Sequence, residues 1–394
     1  MIVVLTPGEG RTDMRDEVLL LTPGPTPIHP RAKAALSWPL RGHMDPEVVA
    51  FNDRVTRDLE VLYSSAAGAF ACLLSGTGSF GMEVGFANLL EPGESVVIVS
   101  NGVFGERMID MASRLGAAVT PVRFPPGVPA FPEVVREVVG RVRPKLLAAV
   151  HGETSTGVLN PVADLGAVAK EFGALFSVDA VTTVGMLDFE MRGWGVDYAY
   201  TGSQKCLSGP VGLAPAVFGP EALAAVAERK VPVASWYGDV EGMRAYWQPS
   251  DDRRYHHTVP VQLHWATGEA VRAALDEGVA ARTWRVRAVA EACLQALSTI
   301  GFKPFVPAEH RLPTVLALTI PEGFDDASVR YDLRFDHGIS VTGGLGPTEG
   351  RIWRLGLMGE AARIEHYQRL MTALATILDA AQLPEAFDQA VAVA

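Results

Sequence analysis

Cysteine is scarce in this chain. Its 394 residues hold three, Cys72, Cys206 and Cys293, with neither the spacing of a metal site nor that of a disulfide framework. They suit a reducing compartment, and cytoplasmic is the expected location. Positive charge is also in deficit: 34 Lys and Arg stand against 45 Asp and Glu, a net charge of −11. That argues against nucleic acid or an anionic membrane as a partner. No apolar stretch is long enough and free enough of charge to span a bilayer. Only a short apolar run, Ile2 to Leu5, opens the chain, without a basic region, so no signal peptide is expected. The closing Val391-Ala-Val-Ala394 is not a peroxisomal address. There is no internal repeat, and no low-complexity tract beyond that Ala/Val-rich tail.

What remains is an ordinary globular composition, 48% hydrophobic and 20% charged, long enough for two domains with sizeable cores. Residues 1–18 read as a polar arm. Leu19-Leu-Leu-Thr-Pro-Gly-Pro-Thr-Pro27 is stiffened by three prolines and cannot pair as a central strand, so it should lie across another surface. From there to about residue 218 strands alternate with helices. Strands are expected at 69–74, 95–100, 117–122, 146–151, 175–179, 196–201 and 213–218, and helices at 78–90, 104–115, 132–142 and 161–172. The alternation predicts a mostly parallel sheet covered on both faces, with its site at the carboxyl ends of the strands. Residues 267–300 read as helical with a break at Gly278. A strand at 314–320, a helix at 325–336, a strand pair near 339–341 and 351–357 and a final helix at 361–381 follow. The division expected is a large domain over 19–275 and a smaller α+β domain over 276–394.

One stretch anchors the chemistry. Val196-Asp-Tyr-Ala-Tyr200 alternates as a half-buried strand and runs into Thr201-Gly-Ser-Gln204, small and amide groups that lead to Lys205. No other charge stands between Gln204 and Glu221. A lysine in dry surroundings loses its proton more readily and can attack a carbonyl to form a Schiff base, which makes Lys205 the candidate anchor for pyridoxal phosphate. Gly76-Thr-Gly-Ser-Phe-Gly81, between a strand and a helix, suits the phosphate of a small cofactor. A dinucleotide or a structural turn would also satisfy the glycines. The dinucleotide reading lacks an acidic residue ending a second strand about 20 positions on. Leu175-Phe-Ser-Val-Asp179 ends a buried strand in a carboxylate, either a turn cap or a partner for a protonated ring nitrogen. His151-Gly-Glu-Thr154-Ser-Thr-Gly157 leaves another strand with hydroxyls that could bond a ring oxygen or cap a helix. Arg354, in the apolar run Ile352–Leu357, must be paired internally or reach a cleft where a carboxylate suits its fork. The adjacent His256 and His257, read as neighbours on a strand, should face opposite ways and share no metal.

In order along the chain, Pro23-Gly-Pro25, Arg41-Gly-His-Met44, Gly76-Thr-Gly78, Asn101-Gly102, His151 to Gly157, Val178-Asp179, Gly202-Ser-Gln-Lys205, Tyr255-His-His-Thr-x-Pro260 and Gly343-Gly-Leu-Gly346 resemble the class V, fold-type I aminotransferases. Within them the likeness is to the alanine-glyoxylate and serine-glyoxylate enzymes. The resemblance covers nearly the whole chain and implies a seven-stranded large domain carrying pyridoxal 5'-phosphate. It assigns Lys205 as the Schiff-base and proton-shuttling lysine and Asp179 as the partner of the pyridinium. Thr77, Gly78, Ser79 and Gln204 would hold the phosphate, Thr154 the ring oxygen, and Phe104 would stack on the ring. Arg354 and Gly24 would bind the substrate. Tyr255 and Thr258 would reach the neighbouring subunit's phosphate, making a homodimer the active unit. Two departures stand out: the animal alanine-glyoxylate enzymes have Trp where Phe104 stands and His where Ser79 stands.

The expected activity moves the amino group of L-alanine, or of L-serine, to glyoxylate, giving glycine and a 2-oxo acid. The alternative is 2-aminoethylphosphonate-pyruvate transamination or another class V reaction, with Arg41, Arg253 or Arg254 meeting a phosphonate. A cysteine desulfurase would need a nucleophilic cysteine on a mobile loop, which Cys293, inside an apolar helical run, does not offer.

Overall fold

Three of the strand runs carry no polar alternation, and the fold explains why. In the computed structural model, which describes residues 17–249 and 252–393, seven strands form one sheet. They are β1 (Phe70–Leu74), β2 (Ser95–Ser100), β3 (Ala118–Arg123), β4 (Leu146–Val150), β5 (Leu175–Asp179), β6 (Tyr198–Tyr200) and β7 (Ala214–Phe218). Their spatial order is β1-β7-β6-β5-β4-β2-β3. All neighbours run parallel except β7, which is antiparallel to both β1 and β6. Helices on both faces bury β1, β4 and β7 at every position, so these strands read as continuous apolar runs. The edge strand β3 is the exception: it is partly exposed and contains Pro121, whose missing N–H an edge tolerates.

The expected helices lie at Gly78–Leu89, Val103–Arg114, Pro132–Val142 and Val162–Glu171. The helical stretch after residue 260 divides at Gly278, which adopts φ +85, into Val261–Glu277 and Val279–Ser298. The first of these starts six residues before the expected 267, directly after Pro260, whose ring pre-sets a helix start.

A second sheet joins Lys303–Pro304, Val315–Thr319, Ile352–Gly356 and Thr342–Gly343, in that order. The expected strand pair near 339–341 and 351–357 is not formed. Ile339–Ser340 pairs in parallel with Leu19–Leu20, and Ile352–Gly356 pairs with Val315–Thr319 and Thr342–Gly343. The proline-stiffened segment thus does cross another surface: Leu21 accepts from the Gly356 N–H and leads Pro23 toward the large sheet. Residues 1–16 of the expected arm lie outside the described residues. The final helix spans Ile364–Leu378 and turns at Asp379 (φ 51) into another helix, Gln382–Val393. The tail read as low-complexity is therefore helical, and its Leu383, Phe387 and Ala390, at helical spacing, are buried.

Two hydrophobic clusters result. One surrounds the seven-stranded sheet; the other gathers residues from Val286 onward with Leu19, Leu21, Met186, Leu187 and Cys206. Cys206 packs in the second and Leu207 in the first, so Lys205 stands at the seam. Among the described residues no helix is long and apolar enough to cross a membrane, and no group of three or more potential ligands could hold a metal ion.

Candidate active site

The carboxyl ends of β1, β4, β5 and β6, with the helix after β2, converge on one cavity of about 210 Å³. Thr77, Gly78, Ser79, Phe104, Thr154, Asp179, Gln204 and Lys205 all line it, together with Arg107 and Val181. Thr77 is the N-cap of the Gly78–Leu89 helix. The first turn of a helix leaves N–H groups without intrahelical partners, which makes this end an anion cradle. At Gly78 a Cβ would meet Val181 Cγ2 at 3.1 Å, so a side chain there would press on Val181.

Asp179 closes β5 and is buried. Its Oδ1 accepts from the Val181 N–H at 2.9 Å and its Oδ2 from the Tyr200 hydroxyl at 2.8 Å. Burial pushes its carboxyl above the usual range, while those two bonds and the charges of Lys205 and Arg107 work the other way. Lys205 is brought down to about 8, chiefly by burial, with the guanidinium groups of Arg354 and Arg107 adding to the effect. Its Nζ donates to the Pro23 carbonyl. Gly24, next in the chain, has φ +97, and a Cβ there would run into the Lys205 side chain. The proline segment therefore presses bare backbone onto the lysine.

Arg354 is buried in the strand Ile352–Gly356. Its Nε donates to the Gly343 carbonyl at 2.9 Å and its Nη1 to the Thr154 carbonyl at 3.2 Å. Among the described residues it has no carboxylate partner, so the internal salt bridge does not occur; burial lowers its pKa to about 10. A charge of opposite sign that does act on it is that of Glu153, fully buried, which caps the helix Val103–Arg114. Glu153 Oε2 accepts from the N–H groups of Phe104 at 3.2 Å and Gly105 at 3.3 Å, and Oε1 accepts from the Ser155 hydroxyl at 2.5 Å.

Tyr255 and Thr258 are not brought to this cavity. They bond each other at 3.2 Å, and Tyr255 is 57% exposed. The two histidines between them do not face apart as a strand would require. Residues 253–260 are irregular, and His256 Nδ1 meets His257 Nδ1 at 2.8 Å, while His257 Nε2 meets Ser75 Oγ at 3.1 Å. Arg253 is engaged by Asp53 at 2.8 Å and by the Tyr246 carbonyl at 2.7 Å, and Arg41 donates to its neighbour Leu40. Neither lines the cavity. All three cysteines are buried, and burial raises the thiol of each.

Three groups at the site carry no strong sequence signal. Arg107 follows Phe104 by three positions on one helix, a spacing that shares a face. Tyr200 falls on the same alternation as Tyr198. Glu153 sits inside the His151–Gly157 motif.

A parallel sheet with one reversed strand, a second domain-sized cluster beside it and a buried lysine at the seam define a fold-type I pyridoxal-phosphate enzyme. Residues 72–359 match the family model for aminotransferase class-V, and the chain belongs to that family of pyridoxal-phosphate-dependent aminotransferases. It is 34% identical over 359 residues to the alanine-glyoxylate aminotransferase of Oryctolagus cuniculus, covering 90% of this chain and 91% of that one. It is 32% identical over 377 residues to the (S)-ureidoglycine-glyoxylate transaminase of Bacillus subtilis (strain 168), covering 91% and 90%. The crystal structure of an alanine-glyoxylate aminotransferase from Nostoc sp. superposes with a TM-score of 0.89 at 38% identity, covering 95% of this chain and 98% of that one. The cavity suits the cofactor: beside the helix N-terminus, the buried amide of Gln204 leaves Oε1 without a partner, an open polar position of the kind a bound group satisfies.

Proposed function

We propose that this enzyme transfers the amino group of L-alanine, or of L-serine, to glyoxylate, giving glycine and a 2-oxo acid. The observation that carries the reading is Arg354: a buried guanidinium beside a small cavity, bonded only to carbonyls, is a receptor for a small carboxylate. Relatives named for glyoxylate at 32–38% identity support that acid as the acceptor.

In this reading Thr77, Gly78, Ser79 and Gln204 hold the phosphate, Thr154 the ring oxygen, and Phe104 covers the ring. When bound, the cofactor supplies an electron sink for the α-carbon. Asp179 holds a proton on the ring nitrogen. Lys205 anchors the cofactor and then, as an amine of reduced basicity, moves a proton to and from the substrate α-carbon. Gly24 leaves room for the substrate, and Arg354 orients its carboxylate.

The homodimer belongs to the proposal. Tyr255 and Thr258 lie outside this chain's own cavity; beside them Trp236, 68% exposed, stacks on His256, and Tyr237 packs at a tilt against His257. An exposed aromatic patch beside two hydroxyls bonded to each other suits a neighbouring copy. The cytoplasm remains the proposed location, on the strength of three unpaired cysteines.

The test is a steady-state panel. L-alanine, L-serine, (S)-ureidoglycine and 2-aminoethylphosphonate serve as donors, each against glyoxylate and pyruvate. Glyoxylate with L-alanine or L-serine should give the highest kcat/KM; no turnover with glyoxylate overturns the reading. The (S)-ureidoglycine arm is included because a relative of that name matches the chain about as well as the alanine-glyoxylate enzymes do.

A further inference from the structure

Arg107 forms no ion pair among the described residues. The two acidic residues of its own helix are engaged elsewhere, Glu106 with Arg123 at 2.9 Å and Asp110 with Arg114 at 2.9 Å. Among the described residues Arg107 pairs with no carboxylate. Its guanidinium instead lies over the Phe104 ring, 4.8 Å from the centroid, and its Nη1 donates to Ser79 Oγ at 2.9 Å. Phe104, Ser79 and Arg107 all line the cavity. The ring face fixes the guanidinium in place, and the bond it makes uses a lone pair of the Ser79 hydroxyl, leaving the hydroxyl proton free to be given. A hydroxyl that accepts from a cation is polarised and becomes a stronger donor.

We propose that Arg107 is a positioning residue that acts through Ser79, polarising its hydroxyl toward the phosphate of the cofactor at the N-terminus of the Gly78–Leu89 helix. The inference rests on the placement of the phosphate at Thr77 to Ser79. It also accounts for the serine at a position where an uncharged hydroxyl alone would bring little: the positive charge is supplied from one helix away. The same charge bears on Lys205, together with Arg354, and against Asp179.

The test uses the full-length apoprotein and two probes, pyridoxal phosphate and pyridoxal, which lacks the phosphate. Dissociation constants come from quenching of intrinsic fluorescence. R107Q should weaken pyridoxal phosphate about 10-fold, the size expected for one charge-assisted bond, and leave pyridoxal within about twofold. S79A should show the same selective loss. The R107Q/S79A double variant should lose little more than either single change, and R107K should recover most of the affinity. With cofactor bound, the pH midpoint of the visible absorbance should rise in R107Q, since a positive charge near the lysine nitrogen is gone. Equal loss for both probes, additive losses in the double variant, or pyridoxal phosphate affinity within twofold of wild type in R107Q would each overturn the proposal. If R107Q fails to fold, S79A decides: wild-type affinity for both probes overturns it. Wild-type protein that binds the two probes equally would instead remove the phosphate placement on which the proposal stands.

Discussion

Tyr200 donates its hydroxyl to Asp179 Oδ2 at 2.8 Å, and the two residues are direct partners in the β5–β6 register. The pair sets the state of the carboxylate. Burial favours the protonated acid, which could not hold a proton on the ring nitrogen as an anion would. The phenol bond stabilises the anion. Y200F should therefore lower kcat about 3- to 10-fold and cost about 1 kcal/mol of stability, the usual worth of one buried hydrogen bond. Steady-state kinetics and urea melts of the purified variant check both.

The lysine carries a pH signature. In the unfolded chain its ammonium titrates near the ordinary value, whereas in the fold burial brings it to about 8. Between these values the unfolded state binds the extra proton, so this group makes stability rise with pH from about 8 toward 10, and contributes no slope below that window. The rate at which the apoprotein captures pyridoxal phosphate should rise with a midpoint near 8. A midpoint near 10 would contradict a dry Lys205. K205A should remove both the capture and the visible band.

Much of this was legible in the sequence, and the failures have physical causes. Strands buried on both faces show as short apolar runs between glycine turns, and the residues just past them, Asp179, Lys205 and Thr154, are those that reach the cavity. Strand pairing was not legible. Ile339–Ser340 had a partner nearby in sequence but pairs with Leu19–Leu20 instead, because local propensity says nothing about which distant edge is open. The histidines were misplaced because an irregular segment lets adjacent rings meet. Arg107 belongs to none of the motifs, and what marks it, the engagement of Glu106 and Asp110 by other partners, is visible only in the fold. The tail helix was hidden by composition, since its Ala and Val residues mask the spacing of Leu383, Phe387 and Ala390.

Arg354 should act on substrate and not on cofactor. R354A is expected to lower kcat/KM about 10- to 150-fold, the loss of a charge-assisted bond, while the visible band of bound cofactor stays. R354K should recover only part, because an ammonium cannot reproduce the planar fork. Kinetics with spectra recorded on the same samples separate the two effects.

Gly24 is a steric prediction. With φ +97 and the lysine chain against its open side, G24A must strain the backbone at about 1–2 kcal/mol and displace Lys205. Activity should fall at least about 10-fold. A melt and an activity assay would contradict this if both matched wild type.

The central claim is tested most directly by the absorbance spectrum of the purified holoenzyme through both half-reactions. The visible band of the lysine-bound cofactor should fade on addition of L-alanine or L-serine, without any acceptor present, and return when glyoxylate is added. A band that survives both amino acids, or that fades and is not restored by glyoxylate, would contradict the proposal that this aminotransferase uses glyoxylate.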